Sequence, residues 1–309
     1  MSKNLKGNLI LLIAAIIWGL AFVAQDKAAD TAPPFAINAV RSYIGFLFLV
    51  PVCAILSRKR GEALVPKTKE GRKNLALAGI ICGVMLTISA NLQQFGISSY
   101  PDGAAASARS GFITAMYVVL VPVFGLFLKK KTSLNVWLAV ALSVLGLYLL
   151  CLSGGLYKLY GGDIVVFGCA ISFAIHIMCV DHFASSVDGV KLSCIQFFVC
   201  GTLSMVLMFI FEKPTLFGIM AAMPYLLFIG IMSSGVAYTL QIIGQQYSKN
   251  PTVASIIMSL ESVFAALGGL LFGEVLSLRE VLGCAVMFAA ILLSQIDFKK
   301  KRTMCSEAS

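Results

Sequence analysis

The chain is 309 residues long, 59% hydrophobic and only 12% charged, with a mean hydropathy of +0.92 and a formal net charge of +10. So much apolar side chain leaves too little polar surface to clothe a water-soluble globule of this length, and the bilayer is therefore the main solvent. The positive charge lies in short clusters beside the apolar runs and forms no basic domain or stripe, which excludes nucleic acid as the partner it serves.

In chain order, apolar runs near the length of a spanning helix fall at 7–24, 35–56, 75–97, 104–128, 134–151, 162–181, 191–211, 222–246, 251–273 and 279–297. Numbered in that order they are helices 1 to 10, and the expected fold is an all-α membrane protein with ten transmembrane helices. Lys3 and Lys6 ahead of the first run resemble the start of a secretory signal. Phe22 is a poor residue three before a cut at Ala24, however, and nine further runs follow, so helix 1 is read as a retained span.

Lysine and arginine set the orientation. Of the 24 in the chain, eighteen fall on the N-terminal side of the bilayer, chiefly in the Arg58–Lys73 loop, at Lys129 to Lys131 and at Lys299 to Arg302. The opposite side holds Lys27, Lys158, Lys213 and Arg279. By the positive-inside rule both termini are cytoplasmic, in a bacterial-type plasma (inner) membrane. The nine cysteines form no CxxC pair and no His/Cys spacing of a zinc site, so no metal, cofactor or disulfide framework is expected.

The second half of the chain repeats the first. Placing Gly7 on Gly162 brings Ala14-Ala15 onto Cys169-Ala170 and Trp18 onto Phe173. Gly79 and Gly83 of helix 3 fall on Gly230 and Ser234 of helix 8, both with small-xxx-small spacing. Leu92-Gln93 and Gly96 fall on Leu240-Gln241 and Gly244, and Pro122-Val123-Phe124 on Ser262-Val263-Phe264, which sets Glu261 opposite Val121. A five-helix unit crosses an odd number of times, so its copy enters from the other side, and the charges reverse accordingly. The loop after helix 2 is strongly basic, whereas the one after helix 7 carries only Glu212 and Lys213. The expected organisation is a first five-helix repeat at 1–151, an inverted second repeat at 152–298 and a basic cytoplasmic tail at 299–309, around a central cavity that is presented to either side in turn.

Glu261 lies about ten residues, roughly 15 Å, into helix 9, where a carboxylate needs a partner, water or a proton; it is a candidate proton carrier or cation contact, or a hydrogen-bonded strut. Arg109 in helix 4 and Arg41 in helix 2 either bind a solute carboxylate, pair within the bundle or reach the outer headgroups. Asn91 and Gln94 of helix 3, with Gln241 and Gln245 of helix 8, offer neutral donors and acceptors for a polar solute or for interhelical hydrogen bonds. His176 is a titratable group or a packing residue. Trp18 lies mid-helix, away from the interfacial belts, and lines a pathway or fills the core.

These residues carry a resemblance. Ile17-Trp18-Gly19, Arg41, and above all the run from Pro251-Thr252-Val253-Ala254-Ser255 through Ser259-Leu260-Glu261-Ser262-Val263-Phe264 to Phe272-Gly273-Glu274 are similar to the drug/metabolite transporter superfamily, in its EamA-type ten-helix members. The resemblance implies two inverted repeats around a cavity lined mainly by helices 1, 3, 4, 6, 8 and 9. It also implies transport of small metabolites such as amino acids, with Glu261 and Glu274 as recurrent glutamates. Ser262 stands where the family usually has proline, and Phe173 where tryptophan is frequent. The expected function is a secondary transporter of amino acids or related polar solutes, working by alternating access and exporting, with proton or ion coupling. Two other classes stay open: an intramembrane hydrolase using Ser110 or Ser234 with His176, and a membrane sensor without transport.

Overall fold

The fold is that of a computed structural model, which describes residues 3–101, 106–129, 132–151, 160–248, 250–270 and 277–294. All regular structure among them is helical, in ten columns. These are α1 (Lys3–Ala29), α2 (Pro34–Arg60), α3 (Lys69–Ser98), α4 (Ala106–Thr114 and Tyr117–Phe127), α5 (Leu134–Cys151), α6 (Gly161–Ala184) and α7 (Gly189–Phe211). They continue with α8 (Leu216–Phe228, a π-helical Ile229–Ala237, then Tyr238–Ser248), α9 (Pro251–Met258 and Glu261–Leu270) and α10 (Leu278–Ser294). Seven of the helical stretches are long and apolar enough to cross a membrane, and three shorter apolar ones, Leu134–Leu149, Pro251–Leu267 and Val281–Ser294, complete the ten. Glu274, Lys249, Lys158 and the basic tail lie outside the described residues.

Helix ends follow their residues. Gly61 closes α2 in the left-handed region, at φ 65°, where a glycine carries no steric penalty. Thr68, Asp188 and Asn250 cap α3, α7 and α9 through their side-chain oxygens, and Pro251 takes the first helical position, where its missing N–H is not needed. The antiparallel pair α2–α7 is tied at both ends. Arg60 Nη1 meets Asp188 Oδ2 at 2.8 Å at one end, and at the other the Glu212 carboxylate accepts the Phe35 and Ala36 N–H groups at 2.8 and 3.0 Å.

The most extensive helix contacts recur five helices further on. α3 packs on α6 as α8 packs on α1; α4 on α6 as α9 on α1; α7 on α3 as α2 on α8; α2–α7 and α5–α10 are their own counterparts. The correspondence holds residue by residue. Gly96 lies against Val166 and the Gly162 carbonyl, and Gly244 against Leu11 and the Gly7 carbonyl. Gly83 lies against Val199 and the Gln196 carbonyl, and Gly230 against Ile44 and the Arg41 carbonyl. Gly83, not Gly79, is therefore the counterpart of Gly230, one helical turn from the alignment read in the sequence. The π-helical stretch explains the rest: it holds one residue more than an α-helix of equal rise, so thirteen steps from Gly83 to Gly96 become fourteen from Gly230 to Gly244.

Two helices read as continuous are broken near their middles. In α4, the Met116, Val118 and Val119 N–H groups bond to carbonyls three residues back, and in α9 those of Leu260 and Ser262 do so. These tight turns have local causes. Pro122 offers α4 no N–H to the Val118 carbonyl, and the Ser255 and Ser259 hydroxyls bond the Thr252 and Ile256 carbonyls of α9, competing with the helix ladder. Counted from the breaks, Tyr117 stands where Glu261 stands, each first in its second helical piece.

Because a side chain at Gly96 would overlap Val166 and press on the Gly162 carbonyl, Gly96→Leu is expected to destabilise the fold by about 1–3 kcal/mol through overpacking. Gly161→Ala, at a glycine with open space around it, stays within about 0.5 kcal/mol. Thermal unfolding of the two purified variants checks this, and equal shifts for both would refute the close α3–α6 contact.

Candidate functional site

Seven helices, α1, α2, α3, α4, α6, α8 and α9, enclose a central cavity with about 460 Å³ of space between atoms, part of it open to solvent. α2 joins the six helices expected from the resemblance, through Arg41. Much of the wall is built from corresponding residues of the two halves: Trp18 and Phe173, Phe22 and Ile177, Gln93 and Gln241, Thr114 and Met258, Tyr117 and Glu261. What the halves do not share is charge. Arg41 and Glu261 line the cavity, while their counterparts are Gln196 and Tyr117.

Glu261 is 5% exposed and its Oε1 accepts the Tyr117 hydroxyl at 3.0 Å. The break puts the carboxylate at the start of a helical piece. Gly19 of α1 fits against the Glu261 carbonyl and Phe264, which brings Trp18 to the cavity wall beside Tyr238, with ring centroids 4.8 Å apart. Ser262, the departure from the family's proline, donates to the Gly111 carbonyl at 3.1 Å and ties α9 to α4.

Arg41 is 3% exposed, and its Nη1 donates to Gln25 Oε1 at 2.6 Å. It does not reach a headgroup, and among the described residues it makes no ion pair, with Glu261 or with any other carboxylate. Three polar atoms of the cavity wall are buried without a hydrogen-bond partner there: Arg41 Nε, Trp18 Nε1 and Gln241 Oε1. Two are donors, and the third is an acceptor. Each such atom costs about 1–3 kcal/mol if nothing ever meets it, and together they present a cation, a carboxylate and spare hydrogen-bonding capacity to whatever enters.

Of the sequence candidates, the structure thus brings Trp18, Arg41, Gln241 and Glu261 to one cavity. Gln245 stands one turn behind, accepting from Gln241 at 3.1 Å and donating to the Ile177 carbonyl. Gln94 donates to the Gln25 carbonyl, and Asn91 joins Asn38 and Ser204 in a buried interhelical network. His176 meets Gln196, Nε2 to Oε1 at 3.3 Å. Neither the Ser110 nor the Ser234 hydroxyl bonds His176, whose ring meets Gln196, so the Ser/His pair that a hydrolase needs is not formed among the described residues.

Arg109 is neither at the cavity wall nor extended to the surface. Its Nη2 meets Asp163 Oδ2 at 2.6 Å and its Nε meets Oδ1 at 3.1 Å, a two-pronged pair flanked by the Tyr100 and Tyr160 rings. Asp163 also accepts the Tyr100 hydroxyl and the Tyr160 N–H, closing the start of α6. Burial and the Asp163 carboxylate push the Tyr100 phenol above its ordinary range.

Tyr117, Tyr238, Gln25 and Gln93 are wall residues that the sequence reading passed over. Tyrosines inside apolar runs look like core, and Gln25 lies past the end of the first run. Its i+4 spacing from Ala21 and Trp18's i+3 spacing from Ala21 could have found it, since all three share one helix face.

Ten apolar helices around a small cavity that holds a few buried polar side chains are the build of a multi-pass membrane transporter. The sequence profile of the EamA-like transporter family matches residues 5–152 and again residues 160–295, and the chain belongs to that family. It is 28% identical over 299 residues to an uncharacterized transporter of Archaeoglobus fulgidus, covering 94% of this chain and 86% of the relative. It is 26% identical to the uncharacterized transporter YwfM of Bacillus subtilis, covering 97% and 98% of the two chains. A solved crystal structure shares the fold at a TM-score of 0.75 and 16% identity, over 94% of this chain and 98% of that one.

Proposed function

We propose that this transporter is a secondary carrier of amino acids or closely related zwitterions. The carrying observation is that the cavity holds one buried cation and one buried carboxylate that do not pair with each other. A zwitterion satisfies both, its carboxylate on Arg41 and the Trp18 N–H, and its ammonium on Glu261 and the Gln241 carbonyl oxygen. A neutral solute leaves the two charges unmet, and a simple cation or anion leaves one.

Alternating access is the mode of action we propose, with two inverted halves at 1–151 and 152–298. The reversed loop charges, the two family matches and the recurrence of helix contacts five helices on all support it. The lysine-rich end is then cytoplasmic, with both termini and the 299–309 tail there, in the plasma membrane. Export is the direction proposed, in line with the family resemblance, with Glu261 as the group that couples solute to proton or cation.

The test is a thermal-stabilisation screen of the purified protein against amino acids, nucleosides and organic ions, since a ligand that binds the folded state raises its apparent stability. Flux of the stabilising solutes into and out of proteoliposomes follows. Amino acids are expected to stabilise and to cross. Stabilisation by nucleosides alone would refute the zwitterion, and no flux above that of empty vesicles would refute the carrier.

A further inference from the structure

We propose that His176 and Gln196 form a second polar half-site for the transported solute. Gln196 is the counterpart of Arg41, His176 stands one turn from the place that corresponds to Gln25, and in this conformation the pair is shut off behind Phe173 and Tyr238. The proposal rests on the two-fold carrier reading.

Arg41 and Gln196 occupy corresponding places, because the carbonyl of each is the contact of a glycine on the neighbouring helix, Gly230 and Gly83. Each side chain reaches across to the first helix of its own half. Arg41 Nη1 meets Gln25 on α1 at 2.6 Å, and Gln196 Oε1 meets His176 on α6 at 3.3 Å. His176 corresponds to Ala21, one turn from Gln25 on the same helix face. Arg41 and Gln25 line the cavity and their counterparts do not, so the cavity as it stands extends further toward the end away from the lysine-rich loops.

His176 and Gln196 are both fully buried, and each keeps an unsatisfied atom, His176 Nδ1 and Gln196 Nε2. No charged side chain joins them in an ion pair among the described residues. Each orphan costs about 1–3 kcal/mol while it stays unmet, and water or solute reaching the pair in another state would meet both. The barrier is one ring thick. Phe173 and Tyr238 both line the cavity on one side, and their ring centroids lie 6.4 and 6.1 Å from that of His176. When the two halves exchange conformations, the end at which Gln25 and Arg41 line the cavity closes and the one that covers His176 and Gln196 opens.

The two half-sites differ in chemistry as well as place. Arg41 offers a charge-assisted bond to a carboxylate, whereas a neutral imidazole and an amide offer ordinary hydrogen bonds of about half the strength. A solute is therefore held more loosely when it faces the lysine-rich end.

Diethyl pyrocarbonate, which acylates imidazole, tests the opening in the reconstituted wild-type protein. The chain has two histidines, and the exposed His182 is the internal reference. Peptide mass spectrometry is expected to find His176 labelled within about a hundredfold of the His182 rate, as for a state populated at the per cent level; slower labelling overturns the proposal. Gln196→Arg supplies the second arm, read as flux of an equimolar mixture of the twenty standard amino acids. A charge at the second half-site tightens binding there, so release at the lysine-rich end slows by about tenfold or more, the effect of roughly 1.4 kcal/mol. Unchanged release by the folded variant overturns the solute role; if the variant does not fold, the labelling arm decides. Absence of wild-type flux would instead strike the carrier reading, which separates the two failures.

Discussion

Replacing Arg41 with methionine is expected to remove solute binding and transport while leaving the melting temperature unchanged or higher. The guanidinium is buried, holds one side-chain bond, to Gln25, and keeps its Nε unmet. In the empty carrier it is a cost, and an apolar side chain of similar volume in such a place is often neutral or stabilising. Solute pays the opposite way: losing one partner of a buried charge pair typically costs about 2–5 kcal/mol of binding, or about thirtyfold and more. Thermal unfolding and proteoliposome uptake, measured on the same preparation, read the two effects. A variant that melts lower, with activity reduced only in proportion to the protein folded, would make Arg41 a structural residue.

Glu261→Gln is the second large effect. The amide keeps the shape and still offers an oxygen to the Tyr117 hydroxyl, so the α4–α9 contact survives and stability changes little. The carboxylate is lost from the cavity, and with it the counter-charge for an ammonium or the group that carries a proton. Transport of a zwitterion is expected to fall about thirtyfold or more, again the scale of a missing charge partner, and the residual rate to lose its dependence on pH. Transport at the wild-type rate with the wild-type pH profile would remove Glu261 from coupling.

Hydropathy showed the ten helices because a bilayer demands long apolar runs, and it showed Glu261 because a carboxylate interrupts one. It hid the breaks in α4 and α9, since neither Pro122 nor the Ser255 and Ser259 hydroxyls that mark them interrupt the apolar run. The Val-Phe match therefore aligned Glu261 with Val121, and the helix breaks move its counterpart one turn back to Tyr117. On a lone helix in lipid, the Arg41 side chain is long enough to reach the headgroups; packing of α1, α7 and α8 around α2 closes that route. The partner of Arg109, Asp163, sits at the start of α6, 54 residues away in sequence, where nothing local to Arg109 points to it.

The extra residue in α8 separates two jobs that one helix would otherwise perform in lockstep. At the start of the π-helical stretch, Gly230 fixes α8 to α2; beyond it, Gly244 fixes α8 to α1, and Gln241 is aimed at the cavity. In an unbroken α-helix each residue turns the face by about 100°, so the facing of Gln241 and Gly244 would be dictated by the docking of Gly230. The bulge frees that choice: the adhesive half of the helix and its cavity-facing half can be set, and altered, independently of one another.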